Sequence, residues 1–378
     1  MLKDKIGDCF LSLTVVAQQL LALLQLLLSG TFILTIEAAA LFRVILTGLF
    51  VGLSLFWILK RKLLLFLVSY IVIGVLFVWT MFVSNTSVKY IIDEGIKFTC
   101  LTCIPTFLAM VSIKDMEVFH KTFLFFSVLT SFFGILYALL MFMGIIIQDS
   151  YNMGFGYSLM MPVMYLIYRG KTQYLLLALV TSVCVILNGS RGPFIVLMLY
   201  VAWLFFQNFT VKKLIFLILI LTLVGLIYIN IDWIFSVLSD YSLRSRTLLK
   251  LVGGEISDTS GREDIYQLGI NKILESPIVG YGLYGDRMFY ESYVHNIILE
   301  ILIDFGIPLG CVVLLFLAVQ FIYKLYVLKG KDLNFYVLVA LSILQLMVSG
   351  SYLINFNFFF FLGLTVRLSK RTKIYWNK

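Results

Sequence analysis

The sequence predicts an all-α polytopic membrane protein of about twelve transmembrane helices with one large extracytoplasmic loop. Three observations carry that expectation. The 378 residues are 61% hydrophobic and 13% charged, with a mean hydropathy of +1.03, a balance outside the range of soluble globular domains. Apolar runs of the roughly 20 residues needed to cross a hydrocarbon core of about 30 Å recur along the whole chain. Basic residues collect in alternate connections between those runs, as the orientation rule for membrane helices requires.

Taken in order, runs centred near Ala22, Leu49, Gly74, Thr102, Gly134, Met161, Ala178, Leu199 and Leu221 place nine spans within residues 1–231. A polar stretch, 232–295, follows. Runs centred near Leu309, Leu341 and Phe360 place three more spans within 296–378, ahead of a basic tail. The runs around Met161, Ala178 and Phe360 are short, so ten or eleven spans is the alternative count. The basic connections carry Lys60, Arg61 and Lys62; Lys114 and Lys121; Arg169 and Lys171; Lys212 and Lys213; Lys324, Lys329 and Lys331; and the tail from Arg367 to Lys378. These segments and both termini are therefore expected in the cytoplasm, and the 232–295 loop outside. That loop holds nine acidic and six basic residues, so the net charge of +9 reflects orientation and points to no nucleic-acid partner. The first apolar run lacks a small-residue cleavage site and is read as a span. Cys100 and Cys103 form a C-x-x-C inside an apolar run, where a thiol packs as a small hydrophobe, and no metal-ligand spacing is present.

An ionisable group within a span costs about 2.5–3.5 kcal/mol on insertion scales, so each one calls for a reason. Arg43, Lys97 and Arg191 all fall toward the outer side of their spans. Lys97 has Asp93 one turn away as a partner. Arg191 sits among Gly189, Gly192 and Pro193, which break the helix and free backbone donors beside the guanidinium. Glu300 and Asp304 share one face of the span after the loop. They are placed to orient His295, to balance the arginines, or to form a structural ion pair.

Within the loop, Ser260 and Glu263 fit a capping box, which predicts a short helix from Arg262 to about Glu275, ending before Pro277. Arg262 in its first turn makes a natural anion site. His295 is the last residue before a span. An unperturbed imidazole titrates near pH 6.5 and can take a proton from a hydroxyl.

The order Ser190, Arg191, Gly192; Gly261, Arg262, Glu263; Pro277 to Gly282, including Tyr281; and His295 to Glu300 with Gly306 resembles the O-antigen polymerase and ligase family, over roughly residues 185–311. The resemblance implies a glycosyltransferase of GT-C-like architecture. Its donor would be an undecaprenyl-pyrophosphate-linked oligosaccharide, used without a cofactor at the outer face of the cytoplasmic membrane. Carried over, Arg191 and Arg262 bind the pyrophosphate and His295 activates the acceptor hydroxyl, with Arg43, Glu300, Asp304 and Tyr281 in support. The expected function is a repeat-unit polymerase for O-antigen or capsule, metal-independent and inverting. A flippase and a chain-length regulator are its implied partners, beside membrane lipid. A ligase using the same donor is the alternative, and a polysaccharide flippase or transporter is the rival from another class.

Overall fold

The computed structural model describes residues 2–84, 88–146, 153–187, 191–207, 262–290 and 293–376, and all regular structure among them is helical. The expected span near Leu221, Ser260 and the loop from 232 to 261 lie outside the described residues. The chain forms two compact units. One comprises Met1–Gln18, Ile45–Phe123 and Thr259–Lys378; the other comprises Gln19–Val44 and Leu124–Asp258.

The helices are α1 (Leu2–Gly30), α2 (Ile36–Val83), α3 (Val88–Ser112), α4 (Met116–Phe142), α5 (Met153–Arg169), α6 (Thr172–Leu187), α7 (Arg191–Gln207), α8 (Arg262–Glu275), α9 (Ile297–Val327), α10 (Gly330–Ser342) and α11 (Phe356–Trp376). Five of them, α1 to α4 and α9, are long and apolar enough to cross a membrane, and α6, α7 and α11 carry shorter apolar stretches. This is the pattern of a multi-pass membrane protein. The runs expected as separate spans around Leu49 and Gly74 share the 48-residue α2, which leaves helical geometry at Lys62 (φ −146°, ψ 41°). The break falls in the Lys60–Lys62 cluster, where three consecutive cations favour a turn in the polar zone over continuation through an apolar phase. The middle of α3, Ile91–Cys103, is wound as a π-helix before an α-helical end that opens at Ile104 and Pro105.

In the second unit, Leu23, Leu27, Tyr137, Phe155, Leu159 and Val185 form a buried apolar core. In the first unit the core includes Phe77 of α2, Ile91 of α3 and Ile301 of α9, together with Leu283 and Tyr284 of the polar stretch. The latter part of the 232–295 region is thus packed into the helical unit, with Leu283 through Asp286 fully buried.

Candidate active site

The site is organised by a break in α9. Gly306 adopts φ 71° and ψ 176° inside the helix, and Pro308 two residues on has no N–H. The carbonyls of Ile303 and Asp304 thereby lose their helical partners. They are taken instead by the N–H groups of Tyr281 (2.8 Å) and Gly282 (2.9 Å), while Ile307 N–H donates to the Pro277 carbonyl at 2.7 Å. Gly280, at φ 71°, makes the close approach possible: a Cβ there would stand 2.5 Å from Gly306 N and 2.6 Å from the Ile303 carbonyl oxygen. Gly282 does the same toward α2, where its Cβ would meet Thr80 Cα at 2.8 Å, and Leu283 N–H donates to Thr80 Oγ1 at 2.8 Å. The Gly-Tyr-Gly motif is the seam between loop and membrane helices.

Past the seam the chain inserts Asp286 and Arg287, which are 0% and 3% exposed. Arg287 Nη1 donates to Asp286 at 2.6 Å and to Glu300 at 3.0 Å, and its Nη2 donates to Glu94 of α3 at 3.2 Å. Glu300 also accepts from the Ser351 hydroxyl and from Tyr352 N–H at 3.1 Å. Asp304 accepts from Tyr352 O–H at 2.7 Å and Gly285 N–H at 3.2 Å. Burial alone would weaken the Arg287 charge, but the surrounding Asp286, Glu300 and Glu94 carboxylates win and hold its pKa well above the ordinary value. Residue spacing alone does not reveal this cluster. Its one sequence signal is an adjacent Asp-Arg pair set between Tyr284 and Met288 in apolar, aromatic surroundings.

The cluster reaches His295 through Asp286, whose second carboxylate oxygen accepts from Val294 N–H at 3.0 Å. His295 itself sits at φ 58°, a left-handed conformation uncommon for a residue with a side chain. Neighbours hold it there: Tyr266 O–H donates to its carbonyl at 3.4 Å, and the Tyr293 ring meets the imidazole edge-on with centroids 4.5 Å apart. Asn296 then caps α9, accepting from Ile298 N–H (2.9 Å) and Leu299 N–H (3.3 Å). The imidazole Nδ1 is buried and has no hydrogen-bond partner among the described residues. Burial, and then the positive charge of Arg262, lower the His295 pKa, with Asp286 opposing. At neutral pH the ring is therefore an uncharged acceptor.

Helix α8 begins at Arg262 and ends at Glu275, as its sequence predicts, with Glu263 and Asp264 in the first turn. It is pinned by Tyr290 O–H on the Ile265 carbonyl at 2.6 Å and by a small core of Ile273, Val294 and Ile303. Half-buried Arg262 is thus brought within electrostatic reach of His295 and keeps no hydrogen bond or ion pair among the described residues. A neutral base beside an unpaired guanidinium can accept a proton from one group while holding an anion on another.

The other expected residues are distributed as follows. Glu300 and Asp304 make no hydrogen bond to the imidazole; their partners are Arg287, Ser351, Tyr352 and Gly285. Tyr281 contributes its backbone to the seam, and its hydroxyl lies 3.4 Å from Glu275. Arg191 is the first residue of α7, in the second unit. Beside it, a Cβ on Gly192 would collide with the Tyr157 hydroxyl, so the glycine leaves room for that side chain. Arg43, in the same unit, donates to Gln25 at 3.1 Å. Lys97 and Asp93 stand 4.0 Å apart and are both exposed. Among the described residues, no three His, Cys, Asp or Glu groups come together in metal-binding geometry.

The fold and these groups define a multi-pass membrane protein with a charged loop seated on a broken helix. Residues 175–314, from α6 through Arg191, α8 and His295 to the first turns beyond the α9 break, match the family model described as O-antigen ligase, and this match supports the O-antigen polymerase and ligase family. Comparison with curated proteins found no match, and neither did comparison with solved structures.

Proposed function

We propose that the chain is a membrane glycosyltransferase of the GT-C type that transfers undecaprenyl-pyrophosphate-linked glycan to a lipid-linked repeat unit at the outer face of the cytoplasmic membrane, as a repeat-unit polymerase. The observation that carries the reading is His295, held at a positive φ with its pKa lowered, whose Nδ1, like nearby Arg262, has no partner among the described residues. In this reaction the acceptor hydroxyl gives its proton to His295 as its oxygen attacks the anomeric carbon. The bond to the pyrophosphate breaks, and the configuration inverts. Arg262 meets the charge that develops on the leaving group, and the family resemblance assigns Arg191 the same role. Arginine suits this because it stays ionised and binds phosphate oxygens in a fork. A lipid pyrophosphate is the donor the chemistry asks for, because nucleotide sugars are not supplied outside the cell. A flippase then delivers the substrate and a chain-length regulator sets the product size.

The second reading is a ligase that moves finished glycan onto a lipid core; the family match is equally consistent with it. Both reactions share donor and site and differ in acceptor. Purified protein incubated with lipid-linked repeat units should yield a ladder of longer glycans if it is a polymerase. A single transfer, seen only when lipid core is added, identifies the ligase. No glycosidic product with either acceptor removes both and leaves a transporter. Arg262→Ala and Arg191→Ala should each reduce product by at least the ~10²-fold typical of losing one transition-state donor, with normal accumulation in the membrane. Wild-type rates in both variants would sink the pyrophosphate clamp.

A further inference from the structure

Two residues with side chains adopt a left-handed backbone between the glycine seam and α9: Tyr284 at φ 64° and His295 at φ 58°. Such conformations persist only where the surroundings over-determine them, and they collect at functional sites. Tyr284 is fully buried, and its hydroxyl shares a hydrogen bond with Thr99 of α3 at 2.7 Å. It opens a single 3-10 turn, Gly285–Met288, which carries Asp286 and Arg287.

These two adjacent side chains hold the two residues that precede His295. One carboxylate oxygen of Asp286 accepts from Arg287 and the other from Val294 N–H at 3.0 Å. The Arg287 guanidinium lies within cation–π reach of two rings, 5.0 Å from the Tyr284 centroid and 5.7 Å from that of Tyr293. Tyr293 in turn meets the imidazole edge-on. Three carboxylates, those of Asp286, Glu300 and Glu94, contact this one guanidinium, and a buried carboxylate beyond what the cation needs is costly. Asp286 therefore calls for a reason other than neutralising Arg287. Val294 N–H supplies it, having no other acceptor among the described residues.

We propose that Asp286 is a positioning residue for His295: its carboxylate anchors Val294 and so fixes the left-handed turn that aims the imidazole, while Tyr293, set against Arg287, bears on the ring. The proposal rests on His295 being the base that takes the acceptor proton. The charged and titratable groups around the imidazole are Arg262 and Tyr266 of α8, Asp286 and Arg287 of the 3-10 turn, and Tyr293 beside it, with Glu300 of α9 on the far side of Arg287. Removing the Asp286 charge should lower the imidazole pKa, whereas removing that of Arg262 should raise it.

The test follows glycan transfer by the purified full chain, with His295→Ala assayed alongside. Asp286→Asn keeps the shape of the side chain and leaves Arg287 with Glu300 and Glu94. It should lower kcat by about 10- to 10²-fold, the scale of a misplaced catalytic group, at an unchanged KM for the lipid-linked donor. Tyr293→Phe should keep the wild-type kcat, because the ring makes the contact, and Tyr293→Ala should lose about tenfold. In a His120→Asn background His295 is the sole histidine, so NMR reads its pKa without catalysis, and that value should fall on adding Asp286→Asn. A wild-type kcat in Asp286→Asn, or an imidazole pKa that does not fall, overturns the proposal and leaves the base in place. Full turnover in His295→Ala removes the base and the proposal together. Should Asp286→Asn fail to accumulate in the membrane, a wild-type kcat in Tyr293→Ala, or a Tyr293→Phe variant as impaired as Tyr293→Ala, overturns it equally.

Discussion

Arg262 and Arg287 belong to the same polar stretch, one within electrostatic reach of His295 and the other bound to Asp286, yet they hold their charges in opposite ways. Arg287 is buried against Asp286, Glu300 and Glu94. Arg262 is half-buried, with no ion pair among the described residues. A cation whose donors are consumed by fixed carboxylates sets the position of the backbone around it. A cation left open at a helix start is available to a ligand. Charge near the site therefore does not itself mark a catalytic role; how far the charge is already neutralised does.

The largest effect that would test this division falls on His295. His295→Ala should lower turnover by roughly the 10² to 10⁴ of a lost general base while the protein accumulates normally, and the wild-type product linkage should be inverted relative to the donor. A retained linkage, or full activity in the variant, would remove His295 from the role. Next comes Arg287→Ala, which leaves buried carboxylates without their cation and should cost about 3–5 kcal/mol of stability, read as lower membrane content and earlier thermal unfolding in detergent. Stability equal to wild type, with turnover alone lost, would mean that Arg287 works as Arg262 does and would erase the comparison.

Smaller effects sharpen it. Gly280→Ala drives a Cβ into the α9 break at a positive φ and should cost about 1–3 kcal/mol, with activity falling in proportion to folded protein. Smallest is the pH profile. Because burial and Arg262 lower the His295 pKa, the base form persists into mildly acidic solution, so the rate should fall on the acid side with a midpoint below about 6.5. In Arg262→Gln the residual rate should show that midpoint moved upward, since a repelling charge is gone. An unmoved midpoint would mean that Arg262 does not act on the imidazole.

The parts of the fold set by neighbouring residues were legible in the sequence. The bounds of α8 follow from Glu263 near its start and Pro277 beyond its end, and the break in α2 follows from three consecutive cations in an apolar run. His295, Arg262 and the glycines stood out as a spaced pattern. Arg287 did not, because its meaning depends on Glu94, 193 residues earlier in the chain, and on Glu300, which Ser351 also contacts. Nor could the spacing show that Gly280 and Gly306 are needed for each other. That follows only from two backbones in contact.

The seam at the α9 break also decides which way the loop can move. Swinging Gly282 away from Asp304 would strand a carbonyl that the helix cannot reclaim, since Pro308 offers no N–H, at a cost of about 1–3 kcal/mol for the buried group left unpaired. The α8 side is joined instead by tyrosine hydroxyls and by an apolar contact of Ile273, Val294 and Ile303 with flanking Ile265, Tyr290, Leu299 and Leu302. The loop is thus tied to α9 through backbone bonds on its glycine side and to α8 through side chains.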